Sequence, residues 1–127
     1  MKRILVTSAS LIIALFLLAA CTGRTQDPGA AQAEYLANLG EKIYLEQCAE
    51  CHQVDGKGWS TLYPALAGNP IVTLHDPEPL IVTVTYGQGS MMSFTKKLNL
   101  DEIAAVLTYI RNSWGNEASP ISPRQIH

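Results

Sequence analysis

The stretch EQCAECHQ, residues 46–53, sets Cys48 and Cys51 three apart and puts His52 directly after the second cysteine. Three chemistries use such an arrangement. Structural zinc takes about four ligands, usually two cysteine pairs or a pair plus histidines; beyond His52 the chain offers only His75 and His127, both distant. Thiol–disulfide exchange needs C-x-x-C alone, with a low-pKa thiol often at a helix start; here the pair closes a helical pattern, and no βαβ unit precedes it. Covalent haem attachment uses C-x-x-C-H: the two thiols add across the porphyrin vinyl groups, and the histidine that follows falls beneath the iron. Only this third use gives the position of His52 a task.

Haem iron in electron-transfer proteins often takes a methionine opposite the histidine, which raises its potential. Apart from Met1, the methionines are Met91 and Met92, neighbours in GQGSMMSF. Methionine is ordinarily core filler. A pair beside Gly87 and Gly89 in a loop is poorly placed for that, so one of the two is expected on the iron. Other residues read more blandly: His75 as a surface residue, His127 as a disordered end, and Lys57, Lys96 and Lys97 as solvated cations. Trp59 and Tyr63 read equally as pocket lining or as ordinary core.

These groups need elements to position them. Tyr35, Leu36, Leu39, Ile43, Tyr44 and Cys48 recur at three and four, which predicts a helix from Glu34 into the cysteine motif, with Gly40 allowing a close approach. QVDGKGWSTLYPALAGNP is rich in Gly, Pro and polar residues and reads as a long ordered loop, a feature usually tied to function in a small domain. In NPIVTLHDPEPLIVTVTY, Asn69-Pro70 and Asp76-Pro77 fit helix N-caps followed by proline, yet LIVTVTY is β-branched enough to favour a strand; propensity alone leaves it undecided. Asn99 and Glu102 form a capping-box pair opening a last helix. Its apolar stripe is Ile103, Val106, Leu107, Ile110 and Trp114; Arg111 suits the helix dipole, and Gly115 can stop the helix. The tail, residues 117–127, is polar and is expected to fray.

The N-terminus points to export. Lys2 and Arg3 precede an apolar run from Leu11 to Ala20, the pattern of a signal sequence, and LAAC ending on Cys21 resembles the lipobox of bacterial lipoproteins. That resemblance implies cleavage before Cys21 and acylation of the new terminus. The expected organisation is a signal peptide (1–20), a lipidated flexible tether (21–33), one domain (34–116) and the tail. Loss of Lys2 and Arg3 takes the formal charge from −2 to −4. No basic patch interleaved with aromatics is present, which argues against nucleic acid as a partner. With Cys21 taken by lipid, Cys48 and Cys51 leave no disulfide framework for the domain.

From residues 35 to 115 the chain resembles the class I cytochromes c, in the bacterial single-haem branch. Gly40 and Tyr44 stand eight and four before the first motif cysteine, as in that family. PALAG, Pro64 to Gly68, resembles its P-x-L-x-G segment. SMMSF stands where the family has G-M-P-x-F; aligning Phe94 with the family Phe makes Met91 the ligand and puts Met92 in place of a proline. Tyr109 matches an aromatic of the C-terminal helix. The resemblance implies an all-α cytochrome c fold with crossing N- and C-terminal helices and one covalent haem c. It implies attachment at Cys48 and Cys51, axial ligands His52 and Met91, and a Pro64 carbonyl that orients His52. Tyr63, Leu66 and Phe94 are expected beside the cofactor, and LIVTVTY is expected to be helical. The implied function is electron transfer, without catalysis or a small-molecule substrate, between redox proteins on the periplasmic side of a bacterial membrane. The alternative is a haem enzyme or gas-binding protein with a labile distal ligand.

Overall fold

The computed structural model describes residues 28–127 apart from residue 60; the expected signal sequence and acylated Cys21 lie outside the described residues. One compact unit runs from Ala31 to His127. The elements are α1 (Pro28–Gln47), α2 (Ala49–His52), α3 (Glu78–Tyr86), α4 (Leu100–Arg111) and a final 3₁₀ turn at Pro123–Gln125. Among the described residues no sheet forms, only isolated bridges at Trp59–Tyr63 and Gln88–Met91. No described helix is long and apolar enough to cross a membrane.

α1 opens at Pro28, ahead of Glu34 and inside the stretch read as a tether. Proline has the preset φ of a first helical residue, and Ala31 and Ala33 carry high helix propensity. Further along, α1 buries Gly40, Ile43 and Tyr44. A Cβ at position 40 would collide with the Ala105 carbonyl oxygen and lie 2.8 Å from the Tyr109 Cβ. Glycine there lets α1 and α4 cross backbone to backbone. Fully buried Tyr44 fixes the crossing, its ring centroid 5.5 Å from Tyr109 and 4.8 Å from Trp114.

α4 starts with the expected capping box: the Glu102 amide donates to Asn99 Oδ1 at 3.0 Å, and the Asn99 amide donates to Glu102 Oε2 at 2.9 Å. Its stripe Ile103, Val106, Leu107 and Ile110 is buried. The helix stops at Arg111, and Trp114 sits beyond it in a left-handed conformation, φ 53°. Trp114 therefore reaches the core from a turn instead of from the helical stripe.

LIVTVTY is helical, against its β-branched propensity. Leu80, Ile81, Val84 and Thr85 share one buried face of α3, so tertiary burial outweighs a preference worth only tenths of a kcal/mol per residue. The cap sits one residue later than Asp76: Pro77 is the N-cap, while Asp76 Oδ1 accepts from the Glu78 amide at 3.1 Å. Asn69 caps no helix. Its side chain accepts from the Ile71 amide at 2.9 Å, closing a turn that goes no further. Arg111 takes the Val72 and Leu74 carbonyls, the acceptors a continuing helix would use.

The tail does not fray. Ile121 and Ile126 are buried in the core, each contributing about 1.5–3 kcal/mol of apolar burial. The Ile121 amide donates to Thr108 Oγ1 at 2.8 Å, Ser122 caps the 3₁₀ turn, and the Tyr86 hydroxyl donates to the His127 carbonyl at 2.9 Å. His127, read as disordered, also lies 3.5 Å from Glu78 through Nε2.

Candidate functional site

The end of α1 delivers the cysteine motif. The Cys48 amide still bonds the Tyr44 carbonyl at 2.9 Å, and α2 then carries Cys51 and His52 through one further turn. Gln53 ends the turn in the left-handed region at φ 64°, its carbonyl accepting from the Tyr44 hydroxyl at 2.6 Å. A residue held in such a conformation is costly unless its surroundings fix it, and the buried tyrosine does so here. Beyond it, Gly58 donates its amide to the His52 carbonyl at 2.9 Å. Gly58 has φ 67°, and a Cβ there would collide with the Tyr63 carbonyl, so the loop closes tightly on the histidine.

His52 is buried, and its Nδ1 lies 2.9 Å from the Pro64 carbonyl oxygen. A carbonyl can only accept, so Nδ1 carries the proton and Nε2 keeps a free lone pair for a metal. Burial, with Cys51 nearby as a smaller cause, pushes the Cys48 thiol up to about 11. That is the reverse of the lowered pKa that a thiol-exchange site needs. Cys48 and Cys51 are not joined in a disulfide. No cluster of three or more His, Cys, Asp or Glu among the described residues could hold a metal ion, which leaves the zinc use without a ligand set.

Facing the motif is a cavity of about 470 Å³, within the range of about 300–1,000 Å³ usual for cofactor pockets. Cys48, His52, Pro64, Leu66, Met91 and Phe94 all line it, and its wall is completed by apolar residues of α3 and α4 such as Leu80, Val84, Val106 and Ile110. Met91 is half-buried on this wall, whereas Met92 is 56% exposed and absent from it. A tight turn presents Met91: its amide and the Gln88 amide donate to each other's carbonyls at 2.9 and 3.0 Å.

Two expected neighbours are elsewhere. Cys51 shares the α2 turn but does not line the cavity, and neither does Tyr63, whose carbonyl accepts from the Trp59 amide at 2.9 Å. Trp59 is 71% exposed and belongs to neither pocket nor core. His75, Lys96 and Lys97 are exposed as expected, and Lys57 makes an exposed pair with Asp55 at 3.3 Å, the kind worth little.

Arg111 carried only a helix-dipole role in the sequence reading, and Asn116 escaped it altogether. Arg111 is 1% exposed, and it donates from Nε to Ser119 and from Nη1 to Val72 and Leu74. Its place four after Leu107 on the apolar stripe was the available signal. Buried Asn116 bonds Leu66, Gly68 and Ile110, and nothing in its local pattern announces it.

The donor set fits a covalently held haem: an imidazole nitrogen, a thioether and the Cys48 sulfur on one apolar cavity, with Cys51 on the turn beside it. A sheet-free helical domain built in this way is a c-type cytochrome. Over residues 36–110 the chain matches, and belongs to, the cytochrome family described as cytochrome c oxidase, cbb3-type, subunit III. It is 34% identical over 109 residues to an alcohol dehydrogenase (quinone) cytochrome c subunit of Gluconacetobacter polyoxogenes, matching 74% of this chain and 23% of that protein's length. It is 39% identical over 92 residues to cytochrome c-552 of Thermus thermophilus, across 61% of this chain and 69% of that one. Among solved structures, cytochrome cL from Hyphomicrobium denitrificans aligns with a TM-score of 0.49 and 25% identity over 72% of this chain and 61% of its own. The protein is thus a c-type cytochrome that binds one haem c covalently.

Proposed function

We propose that Cys48 and Cys51 form the thioethers to haem c, that His52 and Met91 are its axial ligands, and that the chain carries electrons while tethered to the periplasmic face of a membrane by acylated Cys21. The observation that carries the ligand assignment is the cavity wall shared by His52 and Met91, with Met92 outside it. When bound, haem c supplies a one-electron iron couple. The chain's own residues do the rest. The Pro64 carbonyl holds the imidazole in one tautomer and orientation and strengthens its basicity. Val72, Leu80, Val84 and Phe94 are buried around the site and keep water out. With His52 and Met91 both holding the iron, the haem would keep no open site for a substrate or a gas.

The partner we propose is a membrane dehydrogenase, with this chain as its cytochrome subunit or as the next carrier. Similarity to an alcohol dehydrogenase (quinone) cytochrome c subunit supports this, although the match spans under a quarter of that protein. A tether would raise the effective concentration of the carrier at such a partner. The test is fractionation of cells that mature c-type cytochromes and express the full chain or Cys21→Ser. The full chain is expected in membranes, with a one-electron redox titration, and Cys21→Ser in the soluble fraction. Membrane retention of Cys21→Ser would contradict the lipid anchor, and haem that does not titrate reversibly would contradict the carrier role.

A further inference from the structure

The hydrogen bond from His52 to Pro64 is only as good as the placement of the Pro64 carbonyl. Pro64 itself is exposed, and the segment after it is braced locally: the Leu66 and Ala67 amides share the Gly56 carbonyl at 2.7 and 2.9 Å, and Asn69 Nδ2 reaches the Ala65 carbonyl at 2.8 Å. One side chain from the far end of the chain grips the same segment. Asn116 is 4% exposed. Its Oδ1 accepts from the Gly68 amide at 2.9 Å, and its Nδ2 donates to the Leu66 carbonyl at 3.0 Å and to the Ile110 carbonyl at 2.9 Å.

Leu66 and Ile110 both line the cavity; Asn116 does not. Its amide therefore cross-braces two walls from behind, one from the loop that follows His52 and one from the last turn of α4. The chain bends sharply to deliver it. Trp114 and Gly115 are consecutive left-handed residues, φ 53° and 86°. The tryptophan is held there by its contact with Tyr44 and by an Nε1 bond to the Val54 carbonyl at 3.2 Å. A bulky residue kept in that region marks a position that the surrounding structure over-determines.

We infer that Asn116 is a positioning residue for the axial imidazole: by fixing Leu66 to Gly68 against α4, it keeps the Pro64 carbonyl on His52 Nδ1 and so tunes the reduction potential. The inference rests on His52 being the ligand proposed above. An acceptor on Nδ1 makes the imidazole a stronger donor to the metal, which favours the ferric state. Loosening the brace weakens that acceptor, and the potential rises.

The experiment compares holoprotein of the wild type, Asn116→Ala, Asn116→Asp and Ile121→Ala. Asn116→Asp keeps the acceptor for Gly68 and removes both amide donors; where Asn116→Ala gives too little holoprotein, Asn116→Asp is read by the same criteria. Ile121→Ala loosens buried packing of the same C-terminal region and leaves the hydrogen bonds of Asn116 to Leu66 and Gly68 in place. Potentiometry gives the midpoint, and ¹⁵N-resolved NMR gives the solvent exchange rate of the His52 Nδ1 proton. The Asn116 variants are expected to raise the midpoint and to speed exchange, because an outer partner that orients a metal-bound histidine is loosened; Ile121→Ala is expected to move neither. Asn116 variants that match the wild type in both readouts, or an Ile121→Ala variant that shifts them equally, would overturn the inference. A wild type lacking a low-spin, histidine-ligated spectrum would instead remove the ligand assignment and the inference with it.

Discussion

His52 is fastened three ways: its amide bonds the Cys48 carbonyl, its carbonyl accepts from Gly58, and its ring bonds Pro64, each at 2.9 Å. Met91 is hydrogen-bonded through its main chain alone, by the paired bonds with Gln88; its side chain packs against the core, and its thioether is at best a weak acceptor. Around His52 lie the packed α1–α4 crossing and the Tyr44–Tyr109–Trp114 cluster. Beside Met91 lie exposed Gly89, Ser90 and Met92. Local stability follows buried contact and protected bonding, so one side of the cavity is a fixed mount and the other a more lightly held loop, the first to give way when the fold is loosened.

The sharpest way to break this contrast is to remove each ligand in turn. His52→Ala is expected to abolish the low-spin holoprotein, read as loss of c-type absorbance in cells with working maturation machinery. Met91→Ala is expected to keep the covalent haem, lose the thioether-to-iron charge-transfer band and gain CO binding, while Met92→Ala keeps the band. Loss of the band in Met92→Ala alone would exchange the two methionines. Next in size is Arg111→Met. It strips charged donors from the Val72, Leu74 and Ser119 carbonyls, at 1–3 kcal/mol for each buried group left unpaired; a loss of about 3 kcal/mol is expected in denaturant unfolding. Smaller still is Asn99→Ala, which removes the α4 cap and is expected to cost about 1 kcal/mol with an unchanged spectrum, since Asn99 lies on neither wall. Denaturant should also release the Met91 ligand, seen as loss of its charge-transfer band, before the Soret signature of the His52 side changes. Coincident loss of both signals would erase the contrast.

What could be read in advance divides along the same physical lines. Cys48, Cys51 and His52 announce themselves because three reactive residues share one turn, and the α4 capping box because its two partners are three apart. The choice of Met91 over Met92 came from resemblance, and of the two only Met91 lines the cavity; the contact of Pro64 with His52 came from resemblance too, and the structure shows it at 2.9 Å. The buried bonds of Asn116 and Arg111 stayed hidden because their partners are backbone carbonyls and amides, which any sequence supplies; only the fold selects which ones. Ile121 and Ile126 stayed hidden because two isoleucines in a polar, proline-broken tail form no period. The strand-like LIVTVTY misleads for the opposite reason: its local preference is clear, and burial of one helical face overrules it.

The central claim is that the protein itself fills both axial positions of its iron. CO titration of the ferrous wild-type holoprotein tests it most directly. No CO complex is expected at concentrations that saturate Met91→Ala; a high-spin ferrous wild type that binds CO as readily as that variant would contradict the claim.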